Sequence, residues 1–208
     1  MATYKNGILG PIEGKAGPVH GSLWKGIPVL KGPYKKRTKK VSIKEAHNRF
    51  KFTIAQRWLQ PVTEFVKEGF KDYTDTFEGF NAAKSLIYHA FEGEGENLRI
   101  NPAYVLISHG KLTLPEDMEL IQPNDRELKL TWNTKLAENA NHQDQLMLLA
   151  YNVEERRAYG TVYGDFRKTG ESTLRLPKSK GNYQVYAAFV SQDRKSRSNS
   201  RYLGVITL

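Results

Sequence analysis

The spacing of apolar residues changes near residue 98, and this change constrains the fold more than any other feature. Before it, apolar residues recur every three to four positions, the period of an amphipathic helix. After it, short alternating runs are separated by turn-forming residues, as in half-buried strands. Seven such runs follow one another: 112–121, 126–133, 144–152, 156–163, 172–176, 183–191 and 200–206. This spacing predicts an antiparallel β-sandwich over residues 98–208.

Residues 42–97 carry the helical period and predict a small helical region. Ser42 and Glu45 are spaced as a capping box, so the first helix is expected to begin at this serine. Its inward face is predicted to be the stripe Ile43, Ala46, Phe50, Ile54 and Trp58. A second helix is expected to begin at Pro61, and a third to cover about 77–91. Helices and strands together predict an α+β chain.

Residues 1–41 are rich in glycine and proline and predict an arm without helix. The unit Gly-x-x-Gly-Pro-apolar-x occurs twice over residues 7–20. Proline removes a backbone donor and each glycine weakens a helix by about 1 kcal/mol, so the unit favours extended or turn-rich backbone. An edge strand or hairpin is expected around 22–31, where Pro28 argues against a central strand.

The positive charge of the chain lies in its first quarter. Residues 1–57 hold 13 Lys or Arg and two acidic residues, whereas the rest of the chain holds 19 basic and 20 acidic residues. The whole chain has a net charge of +10. A basic segment joined to a near-neutral body predicts a polyanionic partner that binds at one end.

Five cations fall within six residues and are the strongest candidates for such a contact. They are Lys35, Lys36, Arg37, Lys39 and Lys40. Lys44, Arg49 and Lys51 are expected to extend the basic surface along the first helix, and Trp24 and Tyr34 to stack on bases. Nucleic acid is the favoured partner. The alternatives are an acidic protein surface, or a charge that only keeps the protein dispersed.

The sequence lacks the patterns of the common enzyme and cofactor sites. It has no cysteine, which excludes disulfides, thiolate metal sites and a cysteine nucleophile. It also has no Gly-x-Ser-x-Gly elbow, no P-loop and no His-Glu-x-x-His motif. We therefore expect no enzymatic activity, no catalytic residue, no cofactor and no metal site. The sequence shows neither an apolar targeting segment nor a run of about 18 apolar residues, which predicts a cytoplasmic or virion-associated protein without a membrane partner.

The C-terminal half resembles fibronectin type III and related immunoglobulin-like domains. Residues 128–132 resemble the early strand that carries the core tryptophan of these domains. Residues 174–177 and 183–187 resemble their Leu-Pro corner and the Tyr-x-Val-x-Ala strand after it, and residues 196–200 resemble the Ser-rich entry to their last strand. The resemblance implies a sandwich that supports adhesion, assembly or spacer roles, which does not identify a function.

Over its full length the chain is also similar to an uncharacterised family of bacterial proteins. The similarity lies in short tags at residues 6–15, 21–26, 80–83, 105–110 and 198–204. It implies a shared architecture and supplies no catalytic residue.

These features predict a non-enzymatic structural or assembly protein. Its basic arm is expected to contact nucleic-acid phosphates or a neighbouring subunit, as in a coat or nucleoprotein-like particle, and the protein is expected to self-associate. The alternative is a recognition or adhesion module. In that case loops 139–143 and 192–197 of the sandwich would bind a protein or a glycan.

Overall fold

The chain forms two compact units, Met1–Ser42 and Ile43–Leu208. The structure is a computed structural model, and it describes residues 3–4, 10–24, 26–33, 35–73, 79–177 and 180–208.

The first unit is an antiparallel sheet. Its strands are β1 (Thr3–Tyr4), β2 (Ile12–Ala16), β3 (Val19–Trp24) and β4 (Ile27–Lys31), and they lie side by side in chain order. The hairpin predicted near residues 22–31 is formed by β3 and β4, and β4 is an edge strand that accommodates Pro28. Gly21 is required in this sheet because a Cβ atom there would collide with the carbonyl of Ile12.

The second unit begins with helices. They are α1 (Ile43–Leu59), α2 (Thr63–Gly69) and α3 (Gly79–Leu86). The first begins directly after Ser42, as the capping pattern predicted. Pro61 lies in a 3-10 turn over Gln60–Val62, so the second helix begins two residues later than predicted. The third ends in a 3-10 turn over Ile87–Ala90.

A two-stranded hairpin, β5 (Phe91–Glu92) and β6 (Arg99–Ile100), connects the helices to seven longer strands. These are β7 (Glu119–Asn124), β8 (Glu127–Thr131), β9 (Gln145–Asn152), β10 (Arg157–Thr161), β11 (Glu171–Arg175), β12 (Asn182–Val190) and β13 (Arg201–Thr207). All seven predicted runs contain a strand. The observed strand differs much in extent from the predicted run only in the first case, 112–121. Residues 112–118 of that run are irregular backbone, and β7 begins after them.

The seven strands form two antiparallel sheets with a sandwich-like core. One sheet has the order β11-β8-β7 and the other the order β10-β9-β12-β13. Leu128 and Leu130 of the first sheet pack with Leu146, Leu148 and further apolar residues of the second. The chain thus combines helices with several antiparallel sheets, as the α+β prediction required.

The helices cover the other face of the four-stranded sheet. Trp58, Leu59 and Val66 belong to one buried cluster with Met147 and Tyr186. Both faces of β9 are thus covered, and seven of its eight residues are buried. No helix within the described ranges is long and apolar enough to cross a membrane.

Candidate functional site

The strongest predicted contact residues lie in irregular backbone between β4 and α1. Lys35, Lys36, Lys39 and Lys40 are all exposed. Arg37 is exposed as well, and its guanidinium group is hydrogen-bonded within its own segment. Its Nε donates to the Lys39 carbonyl at 2.8 Å, and its Nη2 donates to the Lys40 carbonyl at 3.3 Å. The segment therefore presents a dense group of cations to solvent.

The cations of α1 have different surroundings. Lys44 is exposed in the first turn. Arg49 Nη2 lies 2.7 Å from Glu45 Oε1 in a surface ion pair worth about 0.3–0.5 kcal/mol. Lys51 Nζ lies 5.6 Å from the centroid of the Phe91 ring, within the range of a cation–π contact. Lys44 and Lys51 are seven residues apart and share one helix face.

The apolar stripe predicted for α1 is wrong in its first half. Ile43 is 90% exposed and Phe50 is 47% exposed, whereas Trp58 and Leu59 are buried. Helical spacing indicates which residues share a face, but it does not show how far along the helix that face is covered. Burial on this helix begins near Ile54, which is half-buried.

The two aromatic residues predicted to stack on bases lie in the first unit. Trp24 ends β3 and is 55% exposed. Tyr34 lies outside the described residues.

The two sandwich loops named in the alternative hypothesis line one cleft. It has a volume of about 700 Å³ and is lined by Leu112, Asn139, Ala140, Asn141, Asp144, Ser191, Gln192, Asp193 and Ser196. Most of these side chains carry an amide, carboxylate or hydroxyl group, so the cleft suits a polar, uncharged or cationic ligand.

The acidic groups of this cleft are already hydrogen-bonded within their loops. Asp193 Oδ1 accepts from Ser191 Oγ at 2.6 Å and from the Lys195 backbone N–H at 3.0 Å. The bond from Ser191, followed by the one from the Lys195 backbone, lowers the pKa of Asp193. Asp144 Oδ2 accepts from the Asn141 backbone N–H at 2.8 Å. These bonds fix the shape of both loops.

Inward-facing arginines also tie loop 192–197 to the body. Arg197 is 3% exposed, and its Nη2 lies 2.9 Å from Glu68 Oε1 on α2. Its Nε donates to the Glu68 carbonyl at 2.8 Å. Arg194 stacks on Tyr163 with its guanidinium carbon 3.5 Å from the ring centroid, and its Nη2 donates to Gln145 Oε1 at 2.6 Å. These two arginines therefore have structural partners.

A second buried ion pair lies beneath the cleft. Arg167 is fully buried, with Nε 3.2 Å from Asp144 Oδ2 and Nη2 donating to the Thr113 carbonyl at 2.7 Å. Burial lowers the pKa of Arg167, and the charge of Asp144 opposes this shift. The guanidinium carbon also lies 4.5 Å from the Phe189 ring centroid. Sequence reasoning missed both buried pairs, because their members are 23 and 129 residues apart.

Within the described ranges, no group of three or more His, Cys, Asp or Glu residues is arranged to hold a metal ion.

Comparison with known proteins identifies a family and no activity. Residues 11–204 match the family of unknown function DUF6266. No curated protein matches the chain.

Proposed function

Because the chain belongs to this family of unknown function, we propose its role from the residues themselves: it is a non-enzymatic assembly protein whose N-terminal unit binds a polyanion. The supporting observation is the exposed group Lys35, Lys36, Arg37, Lys39 and Lys40. Nucleic-acid phosphates are the proposed ligand, as in a coat or nucleoprotein-like particle, in the cytoplasm or a virion.

The arrangement of acidic residues supports this proposal. Residues 1–57 contain only Glu13 and Glu45 as acids, and Glu45 already pairs with Arg49. Five cations held close together repel one another, and a polyanion relieves that repulsion. Each phosphate contact also releases a condensed counterion, which favours binding at low salt.

A titration with a fluorescent 20-nucleotide oligothymidine and with heparin tests the proposal. The test variant replaces Lys35, Lys36, Lys39 and Lys40 by alanine. The control removes the same charge from exposed positions of the second unit, at Lys71, Lys111, Lys135 and Lys195.

The wild-type affinity should fall steeply as salt rises. For the test variant, the slope of log K against log[salt] should be smaller by about 0.7 per lost contact with the single strand. The control variant should keep the wild-type slope. Equal slopes for all three proteins would contradict a contact made by this segment.

A second candidate function is a recognition module, and the polar cleft between loops 139–143 and 192–197 favours it. Asn139 and Gln192 are exposed there, and no hydrogen bond of either side chain is found among the described residues. Replacing both by alanine should abolish binding to a glycan array, whereas Gln122→Ala on β7 should not. Identical array profiles for the three proteins would remove this candidate.

We also propose that the sandwich is of the fibronectin type III kind. Support comes from the strand order: the fourth strand of the sandwich, β10, pairs with the third, β9. In the constant-type immunoglobulin domain the fourth strand instead joins the sheet of the first two. An experimental structure superimposed on both domain types tests this assignment.

A further inference from the structure

A small pocket lies between the second half of α1 and the turn that joins β9 to β10. It has a volume of about 180 Å³ and belongs to the second unit. An apolar cavity of ~150 Å³ is large enough to hold benzene. This pocket, here called the hairpin pocket, therefore has room for one benzene-sized group. It is lined by Ile54, Arg57, Trp58, Tyr151, Val153 and Arg156.

Most of the lining of the hairpin pocket is apolar or aromatic. Trp58 and Tyr151 are buried, and their ring centroids lie 4.9 Å apart in an edge-on contact. Ile54 and Val153 are half-buried. Walls of this kind bind an aromatic or branched aliphatic group rather than a sugar.

Trp58 also brings a hydrogen-bond donor that the protein itself does not use. Its side chain is almost wholly buried, and its Nε1 atom has no acceptor among the described residues. The other buried tryptophan, Trp132, donates its Nε1–H to the Arg167 carbonyl at 2.8 Å. A buried donor without a partner is destabilising and uncommon. A ligand that places an oxygen atom beside the Trp58 indole would supply the missing acceptor.

Two arginines give the hairpin pocket a positive charge. Arg57 lies in the last turn of α1 and Arg156 in the turn after β9, and both are exposed. Neither has an acidic partner in the part of the chain that the structure describes. The acidic residues of the same turn, Glu154 and Glu155, do not line the pocket. An anion bound here would therefore meet two cations and no carboxylate of the lining.

The backbone holds Arg156 in an uncommon conformation. Its φ of 56° lies in the left-handed region, which glycine and asparagine adopt at lower cost than arginine. Residues kept in this region are often found at functional sites. Arg156 Nη2 donates to Gln60 Oε1 at 3.1 Å, which holds the guanidinium group near the end of α1. A guanidinium group has five N–H donors, so this bond leaves others for a ligand.

We propose that the hairpin pocket binds a carboxylate that carries one benzene-sized apolar group. The apolar group packs against Trp58 and Tyr151. Arg57 and Arg156 hold the carboxylate, because a guanidinium group suits bidentate contact with a carboxylate. A free aromatic acid and the C-terminal residue of a peptide both offer this chemistry. The proposal goes beyond the polyanion contact and does not depend on it, because no residue of 35–40 lines the pocket.

An NMR titration of the isotope-labelled full chain with hydrocinnamate tests the proposal. The Trp58 indole N–H cross-peak should shift, with a Kd of roughly 0.1–1 mM for a ligand of this size. The cross-peak of Trp132 is the internal control, because Trp132 belongs to the other buried cluster. Hydrocinnamamide, which lacks the charge, should bind at least tenfold more weakly. Equal binding of acid and amide, or a Trp58 cross-peak that does not move, would overturn the proposal.

Substitution of the arginines tests their role in binding. Arg57→Gln and Arg156→Gln should each weaken hydrocinnamate binding about tenfold, the effect of losing one charge-assisted contact. Arg157→Gln is the matched control, because Arg157 is exposed, follows Arg156 directly and does not line the pocket. This control should bind like wild type. An equal loss in all three variants, or no loss in any, would overturn the proposal.

Two peptides distinguish the sources of the carboxylate. N-acetyl-Ala-Ala-Phe is titrated with its C-terminus free and with its C-terminus amidated. Tighter binding of the free peptide than of hydrocinnamate would support a peptide C-terminus as the ligand, and weaker binding would support a free acid. Binding of the amidated peptide as tight as that of the free one would contradict recognition of the carboxylate.

The alanine variant of Lys35, Lys36, Lys39 and Lys40 separates this proposal from polyanion binding. It should bind hydrocinnamate as wild type does. If it does while oligothymidine binding is absent from wild type, the polyanion proposal fails alone. If wild type binds oligothymidine and the Trp58 cross-peak does not move with hydrocinnamate, the pocket proposal fails alone.

Discussion

Replacing Tyr151 by phenylalanine should change how stability depends on pH. Tyr151 is fully buried on β9, where its hydroxyl donates to the Trp58 carbonyl at 3.0 Å and its ring meets the Trp58 ring edge-on at 4.9 Å. Burial raises the pKa of Tyr151 from 10.0 to about 12, and the charge of Arg156 opposes this shift. The phenol thus links α1 to the four-stranded sheet only while it is protonated.

The sign and size of the effect follow from linkage. A pKa raised by folding stabilises the protein fully below pH 10, and that stabilisation is lost as the pH rises from 10 through 12. A difference of 2 in pKa corresponds to about 2.7 kcal/mol. At pH 8, Tyr151→Phe should cost about 1 kcal/mol, the net value of the lost hydrogen bond. Near pH 12 the order of the two stabilities should reverse. Ionisation of Tyr151 in the unfolded chain favours unfolding of wild type, and the phenylalanine variant has no group that ionises there. The crossing is expected near pH 11.

Urea unfolding followed by tryptophan fluorescence at pH 8, 10, 11 and 11.5 measures the difference. Tyr104→Phe is the control, because Tyr104 is 65% exposed and its variant should track wild type at every pH. A difference between wild type and Tyr151→Phe that stays constant over this range would refute the reasoning. It would mean that Tyr151 ionises as readily in the folded protein as in the unfolded chain.

Three further substitutions test other parts of the structure. Asp144→Ala should destabilise the second unit by about 3–5 kcal/mol in urea unfolding, because it leaves the buried Arg167 without its counter-charge. Gly21→Ala should collapse the N-terminal sheet, seen as lost amide protection over residues 12–31, because the new methyl group meets the Ile12 carbonyl. Ile43→Asn should change the unfolding free energy by less than about 0.5 kcal/mol, since this side chain is 90% exposed. A large loss would show that the first turn of α1 is covered.

The sequence predicted the strands of the sandwich better than the layers around them. Alternation and turn residues located all seven strands, because each of these signals is local. The covering of β9 by helices was missed, although residues 146–151 form one continuous apolar run. Such a run is typical of a strand that is buried on both faces. The sequence therefore carries the signal of a second covering layer.

The surroundings of the polar cleft depend on contacts that no local pattern encodes. The pair Arg197–Glu68 joins loop 192–197 to α2, and its members are far apart in the chain. Arg194 and Arg197 of this loop turn inward in the structure, which the sequence alone did not indicate. The cations of residues 35–40 are exposed, and their segment lacks regular structure.

The faces of the two sandwich sheets in the second unit are covered or carry charged pairs. Both faces of its four-stranded sheet are covered, one by helices and one by the facing sheet. The outer face of the three-stranded sheet carries two cross-strand ion pairs, with Lys129 Nζ 2.7 Å from Glu171 Oε2 and Arg175 Nε 3.5 Å from Glu127 Oε1. Charged pairs on an outer sheet face oppose the docking of an apolar surface, because they would have to lose their water. Exposed apolar side chains of this unit, among them Ile43, Phe50 and Phe52, lie on α1 instead.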